Sequence, residues 1–182
     1  MGNNPSEFKG DPNLPVEQVS WNDASGFCKK LNAKGLLPAG WRFALPTEAQ
    51  WEYACRAGTT GDYAGNLDEM AWYDKNSGSK THPVGTKKAN AAGLSDMHGN
   101  VYEWCADWLG DYPSGQLTDP TGPNTGSNRV LRGGSWSGAG SYRRSAYRGN
   151  HSPDSRNFGI GFRVAAVPSP EGYGRQAVPA GR

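Results

Sequence analysis

Cysteine is scarce in this chain: Cys28, Cys55 and Cys105 are the only three in 182 residues. Odd in number and far apart, they supply neither a disulfide framework nor the paired spacing of a zinc site, and buried free thiols are the expected state. Long apolar runs are missing as well, which excludes a helical membrane span. Met1-Gly2-Asn3-Asn4-Pro5 has neither the basic start nor the apolar stretch of a signal peptide, so the sequence names no compartment. Charge of one sign is also lacking. Lys and Arg total 19 against 17 Asp and Glu, and a net charge of +2 is too small to indicate nucleic acid or membrane by composition. There is no internal repeat, no nucleophile elbow and no phosphate-cradling glycine motif.

What the chain does have is Gly (26) and Pro (13), together above a fifth of it, with seven Trp and eight Tyr. Many turns and little regular structure are expected, yet the aromatics supply enough burial for one folded domain. Two helices are readable. In the first, Asn22 is the expected N-cap, Ala24, Phe27, Cys28 and Leu31 mark the inner face, and Gly35 is the stop. In the second, Thr47 and Gln50 have capping-box spacing, and Trp51, Ala54 and Cys55 point inward before Gly58. Short strands are expected at Val101 to Trp104, Arg129 to Gly133 and Gly161 to Val167. One domain spans 1–168, and 169–182 reads as a flexible tail.

Three blocks carry a resemblance: Arg42-Phe43-Ala44-Leu45-Pro46-Thr47-Glu48-Ala49-Gln50-Trp51-Glu52-Tyr53-Ala54, then Gly93-Leu94-Ser95-Asp96-Met97-His98-Gly99-Asn100-Val101-Tyr102-Glu103-Trp104, then Arg129-Val130-Leu131-Arg132-Gly133-Gly134-Ser135-Trp136, closed by Gly161-Phe162-Arg163. With Pro15-Val16-Glu17-Gln18-Val19-Ser20-Trp21, they resemble the formylglycine-generating-enzyme, or sulfatase-modifying-factor, family. The resemblance implies an α+β, C-type-lectin-like fold: two helices, a small mixed sheet and much irregular loop. The family has a strand ending in Met-Gly before this point. Here Met1-Gly2 opens the chain, so that strand is expected to be abbreviated or missing, and another segment is expected at the exposed edge unless the chain was trimmed.

In oxidase members of the family, two cysteines after the Gly-Gly-Ser turn bind copper as thiolates. Counted without gaps from Gly133-Gly134-Ser135, those positions are Gly138 and Arg143, neither able to hold Cu(I). No copper is therefore expected. The sulfoxide synthases use an iron site built mainly from histidines on an added domain, and this chain has only His82, His98 and His151. His98 is expected to face solvent or bond within its turn. Glu48 and Glu52 share a helix face, where hydrogen bonds or ion pairs are the expected role. An oxidase-type enzyme is kept as a minor alternative.

Asp96 to Glu103 resembles the family's calcium loop, which implies side-chain oxygens from Asp96 and Glu103 and carbonyls from Gly99 and Val101 around a structural Ca²⁺. The alternative is that Asp96 and Glu103 pair with backbone amides or Arg.

Between Trp136 and Gly161, scaffold-like residues (Arg144-Ser145-Ala146, Arg148, Pro153-Asp154, Arg156) interleave with small, polar or aromatic ones: Ser137, Gly138, Gly140, Ser141, Tyr142, Tyr147, Gly149, Asn150, His151, Ser152, Ser155, Asn157, Phe158 and Gly159. That mixture is paratope-like: Tyr and Phe are the anchors, and Ser, Gly and Asn supply adaptable hydrogen bonding. It resembles the variable region of proteins diversified by retroelements, rewritten at adenines, which implies a non-catalytic protein displaying this surface to a macromolecular ligand, a protein first of all. A fixed, inactive binding or structural module is the alternative. Nucleic acid is a minor one, resting on Arg129, Arg132, Arg143, Arg144, Arg148, Arg156 and Arg163, because phosphate binding needs them exposed on one face.

Overall fold

A computed structural model describes residues 3–169. The first helix, α1 (Trp21–Asn32), is capped by Ser20 rather than by the expected Asn22. The Ser20 hydroxyl accepts from the Asp23 amide and the Asp23 carboxylate accepts from the Ser20 amide, a reciprocal box with Asp in the place of Glu or Gln. Asn22 instead donates to Asp154 at 2.6 Å, tying the helix to the C-terminal loop. Helix α2 (Glu48–Arg56) starts at the expected Thr47–Gln50 box and ends in Ala57 at φ 45° and Gly58 at φ 90°. The one-turn helix α3 (Leu67–Met70), capped by Asn66, has no sequence signature because four residues cannot display a helical period.

Two sheets result. Strand β1 (Trp41–Ala44) pairs antiparallel with β6 (Ala165–Pro168). The larger sheet has the order β4-β3-β2-β5, with β2 (Tyr102–Trp108), β3 (Arg129–Arg132), β4 (Gly149–His151) and β5 (Ile160–Gly161), and β5 runs parallel to β2. The strand expected over Gly161 to Val167 is thus divided between the two sheets. Among the described residues no strand precedes α1. The last strand takes β1 as its partner, so its edge is covered. The fold is α+β and C-type-lectin-like, with three helices in place of two. The Ser169 amide bonds the Gly40 carbonyl, and the rest of the expected tail lies outside the described residues.

Strand β2 separates two cores, as its twofold side-chain alternation requires. Trp104 packs with Ala24, Cys28, Leu45, Leu131 and Ile160, while Cys105 packs with Trp51, Cys55, Met97 and Val130. All three cysteines are buried and free, as expected. Burial pushes the Cys55 thiol up to about 11 and the Cys105 thiol well above its usual range, which keeps both as inert thiols.

Candidate functional site

After β3 the chain turns through Gly133 and Gly134, both at positive φ, and reaches a 3-10 turn at Gly140–Arg143. Arg143 is fully buried. Its Nη1 donates to the Ala139 carbonyl at 2.8 Å, while Nε and Nη2 have no partner among the described residues. Burial lowers its pKa. A Cβ at Gly138 would come within 3.0 Å of Nη1. The two positions singled out for copper are therefore a bare backbone and a guanidinium fitted against it. The Arg143 carbonyl lies 2.7 Å from His98 Nδ1, and the Ala64 amide donates to His98 Nε2 at 3.1 Å. Two such partners fix the proton on Nδ1. His98 is wholly buried and bonded to residues outside its turn, which overturns the expectation that it faces solvent or bonds within that turn, and the burial lowers its pKa.

The scaffold residues of the segment are held by charge. Arg148 places Nε 2.7 Å and Nη2 2.8 Å from the two Glu48 oxygens. Buried Arg132 pairs with Glu52 and lies 3.4 Å from Glu48, and it also donates to the Ser145 and Tyr147 carbonyls. Glu48 and Glu52 thus have the ion-pair role expected of them. Arg129 is sandwiched between Trp21 and Trp108, Arg156 pairs with Asp23, and Arg163 with Glu103. The seven arginines do not form one exposed face.

Of the candidate surface, Ser137, Ser141, Tyr142, Asn150, His151, Ser152, Asn157 and Phe158 are exposed, and Gly138, Gly140, Tyr147, Gly149 and Ser155 are half-buried. Gly159 is buried against Ser135, which removes it from any contact surface. A Cβ at Gly140 would sit 2.9 Å from the tip of the half-buried Leu67 side chain, which would have to shift. Tyr142 and Phe158 are 44% and 42% exposed, and the Tyr142 and Tyr147 rings lie 5.0 Å apart. Phe158 leans on Trp136, whose indole donates to the Phe158 carbonyl. Gly149, Asn150 and His151 form β4, so part of the presumed loop is sheet edge.

Residues 1–167 match the sulfatase-modifying factor enzyme 1-like domain. The chain belongs to this family. It is 39% identical to the formylglycine-generating enzyme of Streptomyces coelicolor over 88% of this chain and 55% of that one. The mouse formylglycine-generating enzyme is 37% identical over 85% of this chain and 44% of its own. The chain thus spans about half the length of the curated relatives it matches. Among solved structures, Treponema denticola variable protein 1 is 39% identical, with a TM-score of 0.85 over 93% of this chain and 79% of that one. PvdO from Pseudomonas aeruginosa is 33% identical, with a TM-score of 0.78 over 87% and 64%.

The calcium candidates of this family member converge on one cavity of about 420 Å³ lined by Asp96, Gly99, Val101 and Glu103. Asp96 and Asn100 sit at φ 60° and 63°, making the tight turn. Asp96 Oδ2 accepts from the Gly85 amide at 2.7 Å, while Oδ1 is buried with no partner among the described residues. That orphaned oxygen suits a hard cation. Glu103 is already engaged: its oxygens accept from Arg163 at 2.6 and 2.7 Å and from Trp51 at 2.6 Å. No group of three or more His, Cys, Asp or Glu among the described residues is placed to hold a metal. Sequence reasoning missed Asp107, a buried carboxylate of β2 whose pKa burial raises to about 6. Its only signal was charge at an inward position of a strand.

Proposed function

We propose that this family member is a non-catalytic binding protein that presents the exposed side chains of residues 137–158 to a macromolecular ligand, a protein. The observation that carries this reading is the fit of Arg143 against Gly138, which fills the place assigned to the copper cysteines with a buried guanidinium. No thiolate pair is then available for Cu(I). In the same segment Tyr142 offers an exposed amphipathic ring and Phe158 an exposed apolar one, both of low side-chain entropy, and Ser137, Ser141, Asn150 and Asn157 are exposed as well. The likeness to a solved variable protein supports the view that this surface is diversified. Burial and internal pairing of most of the arginines argue against nucleic acid.

The alternative, a fixed inactive module, is favoured by one observation: Gly149–His151 belong to the sheet, where freely changing residues would disturb the pairing with β3. Coding DNA separates the two. A nearby near-copy of the codons for Arg132 to Arg163, differing only at adenines, establishes diversification. A genome without that copy and without an adjoining reverse-transcriptase gene leaves the fixed module. Turnover of a cysteine-containing peptide with copper and oxygen would overturn both.

A further inference from the structure

The outer face of α2 and the long loop between β2 and β3 enclose a cavity of about 830 Å³. It meets the 137–159 segment only at Ala146 and Arg148, so it is a different place from the Tyr142–Phe158 surface. Loops of this length without regular structure are uncommon in compact domains and are associated with binding, and the volume is that of a ligand site. Three large apolar side chains, Tyr53, Tyr112 and Leu117, line it while remaining exposed.

Its charge is the opposite of the molecule's. Four carboxylates line the cavity, Glu48, Glu52, Asp107 and Asp111, against one cation, Arg148, in a chain of net charge +2. Glu48 and Glu52 are answered by Arg148, Arg132 and Arg56. Asp107 and Asp111 have no ion-pair partner among the described residues. Asp107 is 4% exposed, and its Oδ2 accepts from the Glu48 amide at 2.8 Å. Arg129, the cation acting on it, is clamped between two indoles and donates to the Ala106 carbonyl. A desolvated carboxylate with no ion-pair partner is unfavourable, and a cation arriving through the cavity relieves it.

We propose that this cavity is a second binding site, taking an extended peptide of a protein partner through one Arg or Lys whose charged head meets Asp107 and Asp111 and whose apolar neighbours lie on Tyr53, Tyr112 and Leu117. The exposed apolar side chains give contact beyond a single side chain, which selects a peptide over a free amine. This site stands independently of the surface proposed above.

The test is a titration of the ¹⁵N-labelled full chain with acetyl-Leu-Pro-Arg-Pro-Leu-amide and with its citrulline counterpart, which keeps shape and loses charge. The arginine peptide is expected to shift the amides of Asp107, Asp111, Tyr112 and Leu117 and leave those of Tyr142 and Phe158 in place. It should bind about tenfold or more tightly than the citrulline peptide, as befits a charge-assisted contact. Asp107→Asn with Asp111→Asn should erase that preference, and Ala49→Phe, which fills the cavity from α2, should abolish binding of both peptides. Equal affinity of the two peptides, shifts confined to the Tyr142–Phe158 surface, or no binding at millimolar peptide would each overturn the proposal. Binding of benzylamine at the same amides as tightly as the arginine peptide would overturn the choice of a peptide.

Discussion

Arg148 grips Glu48 with two nitrogens across 100 positions of sequence, at 2.7 and 2.8 Å, and lays its guanidinium 4.2 Å over the Tyr112 ring. This pair fastens the display segment to the start of α2, and Glu48 is itself buried. Removing one member leaves a buried charge short of its partner, the expensive way to break such a pair. Arg148→Ala is expected to lower stability by about 3 kcal/mol in urea denaturation and to speed amide exchange at Gly149 to His151. A loss within about 0.5 kcal/mol, the size of an ordinary surface substitution, would contradict the anchoring role.

Asp107 predicts a pH dependence with a definite sign. Burial raises its pKa from 3.8 to about 6, so the folded state holds the proton more tightly than the unfolded chain. The resulting stabilisation is present below about 4 and is lost as pH rises through 6, at a cost on the order of 3 kcal/mol for the full shift. His98 acts in the opposite direction. Its lowered pKa gives stability that is present above its unfolded value and is lost as pH falls through the folded one. Asp107→Asn removes the first effect alone: it should raise the melting temperature at pH 7 and steepen the loss of stability on acidification between 6 and 4. Parallel stability–pH curves for the two proteins would rule this out.

The legibility of the fold followed the locality of its signals. The Thr47–Gln50 box was readable because two residues three positions apart suffice to make it. The Ser20 cap was missed because its partner is Asp23, a residue that also suits a first turn with Asn22 as cap. Strand β4 carries Gly149-Asn150-His151, which has neither alternation nor β-branched residues, and exists because β3 offers an unpaired edge. At the candidate site, composition marked Tyr142, Tyr147 and Phe158 as exposed anchors; Tyr142 and Phe158 are exposed, and Tyr147 is half-buried. Composition could not show that Arg143 turns inward, since burial of an arginine depends on the space left by Gly134 and Gly138. Asp107 was illegible for the same reason: its burial is made by loop residues such as Gly122, fifteen positions on.

Calcium is tested at Asp96, whose Oδ1 has no hydrogen-bond partner among the described residues, rather than at Glu103, whose loss would also strand Arg163 and Trp51. Calcium is expected to raise the melting temperature of the native chain and a chelator to lower it, by preferential binding to the folded state. In Asp96→Asn, which keeps an acceptor for the Gly85 amide, both responses should vanish while the fold persists. A native melting curve indifferent to millimolar calcium would reject the site and leave Asp96 as a turn residue.

The interlock of Gly138 and Arg143 predicts non-additive substitutions. Gly138→Cys alone sets a Cβ 3.0 Å from Nη1 and 3.3 Å from the Tyr142 ring, and such overpacking costs about 1–3 kcal/mol. Arg143→Cys alone empties a wholly buried volume and releases the Ala139 carbonyl, a separate destabilisation. Together, the new Cβ occupies space the guanidinium has left. The double variant should therefore be more stable than the sum of the single losses by at least about 0.5 kcal/mol, the coupling expected of touching residues. It should also draw Cu(I) from a bicinchoninate complex, because two thiolates suit that ion and the native pair offers none. Additive losses with no copper transfer would mean that Gly138 and Arg143 do not occupy the positions of the oxidase thiolates and that the buried guanidinium blocks no copper site.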